Sequence, residues 1–185
     1  MRTLSFSVIV PVLGIVTAMA QVHSAAQPYD EPDAYQIYSL LIPHEESYVF
    51  AQGTLIIQEE TVSDVAVTGA GLSREVASRF KDAASDYERA RTKKWFLQRQ
   101  FMIEKTYEIV NRETIARLET SEQPRPKSGG HIFMSPVGFN RRKTQAIVYA
   151  GSSCGGLCGS SQFHLFEKVH GRWKEVSGVS IVTVS

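Results

Sequence analysis

The chain has 185 residues, 43% of them apolar, with 20 basic residues, 19 acidic residues and two cysteines. This length and composition fit one globular domain with an ordinary core and exclude a disordered chain, and two cysteines are too few for a small disulfide scaffold. The near balance of charge removes long-range attraction to nucleic acid or to an anionic membrane as an expectation from the totals.

In chain order, Arg2 is followed by an apolar run from Val8 to Met19 and by Ala18-Met19-Ala20, the small-x-small form that signal peptidase accepts. The spacing predicts a signal peptide over 1–20 and a mature start at Gln21, with a cut within His23 to Ala26 as the alternative. The run is shorter than the roughly 20 residues a helix needs to cross a bilayer, and no later segment is free of charge for that distance. A periplasmic or secreted chain without a membrane span is therefore expected, and the missing cysteine at the cleavage site argues against a lipid anchor. Removing Arg2 leaves 19 basic and 19 acidic residues.

Residues 21–32 are poor in large apolar side chains and read as a flexible leader, so that a single domain spans 33–185. Ala34, Ile37, Tyr38, Leu41 and Ile42 form one stripe of a helix, with Asp33 in its first turn and Pro43 ending it. Gly53 to Thr61 reads as a strand. Ser73 is a suitable N-cap for a second helix, in which Val76, Phe80, Ala83, Ala84 and Tyr87 repeat at helical spacing. The cluster Arg89, Arg91, Lys93 and Lys94 at its end is read as a solvated helix terminus, because Asp86 and Glu88 dilute it and a helix C-terminus favours cations. Trp95, Leu97, Phe101 and Ile103 alternate as in a strand, and a short helix from Asn111 to Leu118 follows, with Ile115 and Leu118 turned inward.

Thr120 to Gly130 is punctuation, with prolines and glycines and no large apolar residue. Beyond it the strands are consecutive. "HIFMSPVGFN" and "TQAIVYAG" are joined by a basic turn at Arg141 to Lys143, "QFHLFEKV" and "RWKEVS" by the tight turn His170-Gly171, and "SIVTVS" closes the chain. Phe163, Leu165 and Trp173 are assigned to one buried face. The expected class is α+β, an antiparallel C-terminal meander with the N-terminal helices packed on one face. A nuclear-transport-factor-like cone is one arrangement open to such elements.

Cys154 and Cys158 fall in a Gly/Ser-rich connection between two of these strands. In an exported chain a nearby pair is usually oxidised, so a structural disulfide closing the hairpin tip is the reading. A redox pair of the usual kind would need two intervening residues and a following helix; here there are three, followed by a strand. A zinc set of Cys154, Cys158, His164 and His170 fails on geometry, since six residues of strand separate the histidines by roughly 20 Å. No metal and no cofactor is expected. Phosphate-loop, zincin and dinucleotide motifs are absent from the sequence. The neighbours Glu45-Glu46 and Glu59-Glu60 do not suit a shared-proton dyad, and His44 and His131 read as isolated structural or solvated histidines.

The run from Ser135 to Val176, with its Val137-Gly138-Phe139-Asn140 stretch, its Cys-Gly-x-x-Cys-Gly-type loop and its Gly171-x-Trp173-Lys174 ending, resembles a family of uncharacterised exported bacterial proteins. The segments "AYQIYSLLIP" and "LIIQEET" are similar to the same family. The resemblance carries no activity with it; one departure is Ser160-Ser161-Gln162-Phe163, where a glycine and an aromatic residue would follow the second cysteine's Gly. Two functions remain in view: a non-catalytic exported module that binds a protein partner or small ligand, and an enzyme with a pocket between helix and sheet using His131, Glu104 or Tyr107.

Overall fold

The computed structural model describes residues 27–46, 53–67, 73–120, 130–155, 158–176 and 181–182. The expected signal peptide, the start of the leader and most of the Thr120 to Gly130 punctuation lie outside them.

Four helices accompany the strands: α1 (Pro32–Glu46), α2 (Arg74–Arg79), α3 (Lys81–Ala90) and α4 (Arg112–Thr120). The short strands β1 (Gln27–Pro28) and β3 (Trp95–Phe96) pair in parallel. An eight-stranded mixed sheet holds β2 (Leu55–Gln58), β4 (Tyr107–Val110), β5 (His131–Met134), β6 (Gly138–Phe139), β7 (Gln145–Gly155), β8 (Cys158–Val169), β9 (Arg172–Glu175) and β10 (Ile181–Val182). Its main order is β10-β8-β7-β5-β2-β4, with β6 beside β7 and β9 beside β8. β2 runs parallel to both β4 and β5, whereas β5 to β10 pair antiparallel.

The α+β class and the antiparallel C-terminal half stand. The placement of the helices is corrected: they cover both faces of the sheet. Ala146, Val148 and Ala150 on β7 share a buried cluster with Ala34, Ile37, Tyr38 and Leu41 of α1. The alternate residues Ile147 and Tyr149 join Phe80, Ala83 and Tyr87 from the α2–α3 side. Since successive strand side chains point to opposite faces, α1 and α3 lie on opposite sides. Nothing in this topology adds support to the nuclear-transport-factor-like comparison.

The same geometry corrects the grouping of Phe163, Leu165 and Trp173. Phe163 and Leu165 pack on the α3 side, while Trp173 packs with Phe139 and Phe166 on the α1 side. Both faces of β7 and β8 are buried, so polarity does not alternate along them and offers no marker of face.

Several boundaries also move. The leader reading fails from Gln27 onward, because Gln27 and Pro28 pair with Trp95 and Phe96, and Tyr29 is buried. The helix α1 continues past Pro43 to Glu46. Proline removes one N–H from the ladder and its ring crowds the carbonyl four residues back, but the turn after it is held by side-chain contacts described below. The second helix is two, broken at Phe80, whose φ of −103° and ψ of 16° leave the helical region while its ring is buried. Ser73 caps α2 as expected, accepting from the Val76 N–H at 3.3 Å. In "WFLQRQFMI" only Trp95 and Phe96 form a strand; Leu97 and Phe101 are buried from irregular backbone. Asn111 caps α4 through its Oδ1 and Ile115 is buried, but Leu118 is 46% exposed and does not face inward.

Between β5 and β7, backbone and side chains interlock. The Tyr38 hydroxyl donates to the Ser135 carbonyl at 2.8 Å, and the Val137 N–H donates to the Tyr29 hydroxyl at 2.9 Å. Gly138 lies against the backbone of α3, and the Phe139 N–H donates to Asp86 at 2.9 Å. Burial pushes the Tyr29 and Tyr38 hydroxyls well above the usual phenol range. They remain neutral donors and acceptors that tie β1 and α1 to this segment.

Candidate functional site

β7 and β8 form a long hairpin in register from Gln145↔Glu167 to Gly155↔Cys158, with an irregularity between Ser153 and Gly155. At its tip the sulfurs of Cys154 and Cys158 lie at disulfide bonding distance, with Cα atoms 5.1 Å apart, inside the range a disulfide spans. At the other end His170 and Gly171, with φ of 51° and 77°, make the tight turn into β9; both positive values suit a primed hairpin turn. His170 is exposed in that turn while His164 is buried mid-strand. The four residues of the zinc reading are therefore not gathered. Among the described residues no group of three or more His, Cys, Asp or Glu side chains is placed to hold a metal ion.

The enzyme trio is not brought together either. Tyr107 pairs in register with Leu55 and packs in the α1-side cluster. Ile132 belongs to that cluster, so its neighbour His131 points to the other face, beside Phe133. Glu104 is exposed on a loop. Burial lowers the His131 pKa, opposed by Glu119 at 3.8 Å.

A different titratable cluster is buried between helix and sheet. His164, on β8, has a fully buried side chain, and its Nδ1 lies 2.6 Å from Glu175 Oε1 on β9. Its Nε2 lies 3.5 Å from Glu45 Oε1 at the end of α1, and Glu45 is 2% exposed. His44 contributes a ring whose centroid is 6.3 Å from that of His164, and its Nδ1 is 3.7 Å from Glu45 Oε1. Glu45 Oε2 and His164 Nε2 are buried without a hydrogen-bond partner. Burial by itself lowers the His164 pKa; the hydrogen bond to Glu175 and the charges of Glu175 and Glu45 outweigh it, and the net direction is up. Glu175 is held below the usual carboxylate range, first by its hydrogen bond from His164.

Sequence reasoning weighed His164 only as a metal ligand and passed over Glu175. The available signal was Phe163-His164-Leu165-Phe166, a polar ring inside an apolar strand run. A buried polar group needs a partner, but its partners come from α1 and from β9 and could not be named from spacing.

The opposite end of α1 is pinned as well. Asp33 accepts from Lys168 Nζ at 2.8 Å and from Trp173 Nε1 at 3.0 Å. Burial raises the Asp33 pKa, but these two hydrogen bonds outweigh it and the net direction is down. The helix is thus clamped to β8 and β9 at both ends, by Asp33 and by Glu45.

Beside this clamp lies an open polar cleft of about 650 Å³, with Asn140, Arg141, Arg142, Thr144 and Gln145 on one side, Glu167 to Val169 on the other, and Asp82 of α3 also in its lining. Asn140 Oδ1 accepts from the Thr144 N–H at 2.8 Å and the Gln145 N–H at 3.2 Å, which locks the turn. Lys143 takes φ of 50° and is held by Glu31 at 2.8 Å. Glu167 is engaged by Arg79 and by Gln145. Arg141 and Arg142 are exposed and form no ion pair with any described residue. The basic helix end, by contrast, is largely neutralised: Arg89 pairs with Asp86, Arg91 with Glu88 and Lys94 with Glu60.

Comparison of the chain with protein-family models, with curated proteins and with solved structures gives no match. No helix among the described residues is long and apolar enough to cross a membrane.

Proposed function

We propose that the chain is an exported binding module whose ligand site is the cleft beside the Asn140 to Thr144 turn, and that it takes an acidic group, carboxylate or phosphate, of a peptide or small molecule. The observation that carries the reading is the pair Arg141 and Arg142, two guanidinium groups without an acidic partner on a turn whose backbone is locked by Asn140. Such donors match carboxylate and phosphate oxygens, and a turn already held in shape loses little entropy on binding. The cysteine pair at disulfide distance supports an oxidising compartment, periplasmic or extracellular. The resemblance of Ser135 to Val176 to exported bacterial proteins fits the same reading, since its Val-Gly-Phe-Asn stretch is the segment that docks β6 on α3 and locks this turn.

The test is titration of the mature protein with inorganic phosphate and with a short acidic peptide, followed by backbone amide shifts and calorimetry. Shifts concentrated at Arg141 to Gln145 are expected, with affinity falling as salt rises. Changing both Arg141→Ala and Arg142→Ala should weaken binding by about tenfold or more, the value of one charge-assisted hydrogen bond. Absence of binding by either probe, or binding equal in the double variant, overturns the proposal.

A further inference from the structure

We propose that Glu45, His164 and Glu175 form a proton-operated latch, which holds the last turn of α1 on β8 and β9 while His164 is protonated and releases that turn when His164 becomes neutral. Glu45 is a buried carboxylate with one oxygen unpartnered, and the cationic group facing it from the sheet is His164 at 3.5 Å. From its own helix the facing group is His44; from β9 it is Glu175, a like charge beyond the ring. The register partner of His164 on β7 is Val148, which carries no charge. Protonated His164 therefore stands between two carboxylates and offsets both. Neutral His164 leaves a buried carboxylate uncompensated, which is among the more expensive states a core can hold.

Glu175 already reaches water, its side chain being 45% exposed, so Glu45 is the group that must move. Its route is built into α1. Pro43 has no N–H to give to the Ser39 carbonyl, and only His44, Glu45 and Glu46 follow it in the helix. The helix is weakest at the point where its final turn would hinge. The start of α1 stays fixed, because Asp33 remains ionised on Lys168 and Trp173.

The direction of the pH response follows from the two shifts. The raised His164 pKa contributes stability that is fully present below the ordinary value of 6.5 and is lost as pH rises through the folded value. The lowered Glu175 pKa contributes stability present above 4.5 and lost as pH falls through its folded value. The latch is tightest between those limits and opens on the alkaline side.

The experiment is amide hydrogen exchange on the mature protein at about pH 6 and about pH 9, corrected for intrinsic exchange, together with imidazole titration by NMR. Protection of Ile42 to Glu46 should fall by about tenfold or more between the two conditions while α3 stays constant. Glu45→Gln removes the buried charge and should keep that turn protected at both pH values; His164→Gln should leave it poorly protected at both. The His164 titration midpoint should lie above that of an ordinary imidazole and drop in Glu45→Gln, and His44→Asn should retain the pH response. A pH-independent wild type, an unchanged pH response in Glu45→Gln, its loss in His44→Asn, or a His164 midpoint at or below the ordinary value overturns the latch. Glu45→Gln carries the test if His164→Gln does not fold.

Discussion

Replacing Gly138 by alanine tests the packing of the two halves of the molecule most directly. A Cβ built on Gly138 would stand 2.4 Å from the Ala83 carbonyl oxygen, from the Tyr87 Cβ and from the Tyr87 nitrogen. Ordinary contacts are about 3.5 to 4.0 Å, so β6 and α3 must part by about 1 Å. None of the three atoms belongs to a flexible side-chain end, and no rotamer change relieves the clash. Parting the two elements stretches the 2.9 Å bond from the Phe139 N–H to Asp86 and disturbs Tyr87, whose hydroxyl donates to the Val65 carbonyl at 2.8 Å. Overpacking of this kind costs typically 1 to 3 kcal/mol, and because only backbone and Cβ atoms can yield, a loss of about 3 kcal/mol is expected. Gly171→Ala is the control: it meets nothing within 4 Å but keeps a φ of 77°, so it should lose only about 1 kcal/mol from backbone strain. Urea unfolding followed by far-UV circular dichroism measures both, with the slope m required to stay constant. A Gly138→Ala loss no larger than that of Gly171→Ala would refute the close approach of β6 to α3.

Trp173→Ala should destabilise the protein by about 3 to 5 kcal/mol, since the ring is buried against Phe139 and its Nε1 donates to Asp33; a loss under about 1 kcal/mol in the same assay would contradict its placement in the α1-side core. Thiol titration of native protein should find Cys154 and Cys158 unreactive until reduced, and the double Cys→Ser variant should keep the fold while losing about 2 kcal/mol, the chain-entropy value for so short a loop. Two free thiols in the native protein would exclude the clasp. Intact-mass analysis of secreted material should place the first residue near Gln21, and a retained Met1 would refute export by a cleaved signal.

What was legible in the sequence is local. The stripe on α1, the caps Ser73 and Asn111 and the turn at His170-Gly171 depend on residues a few positions apart. Their cues are covalent geometry and helix or strand periodicity, which neighbouring residues carry with them. Pro43 was the local cue that failed, because the turn beyond it is held by His164, far away in the chain.

The tertiary structure decided which face each strand presents and which charges meet. The β7–β8 hairpin is buried on both sides, so its sequence does not distinguish the α1 face from the α3 face; the division became visible only when both helical layers were in place. Gly138 fell within a predicted strand stretch and proved to be a contact point for α3. Glu45, His164 and Glu175 lie on three different elements, and each is unremarkable alone: a helix-end acid, a strand histidine, a hairpin acid. They become one electrostatic unit because α1 is laid across β8 and β9 with Asp33 pinned at one end. Coupling energies between charges depend on distance and local dielectric, and both are properties of the assembled fold rather than of any segment of the chain.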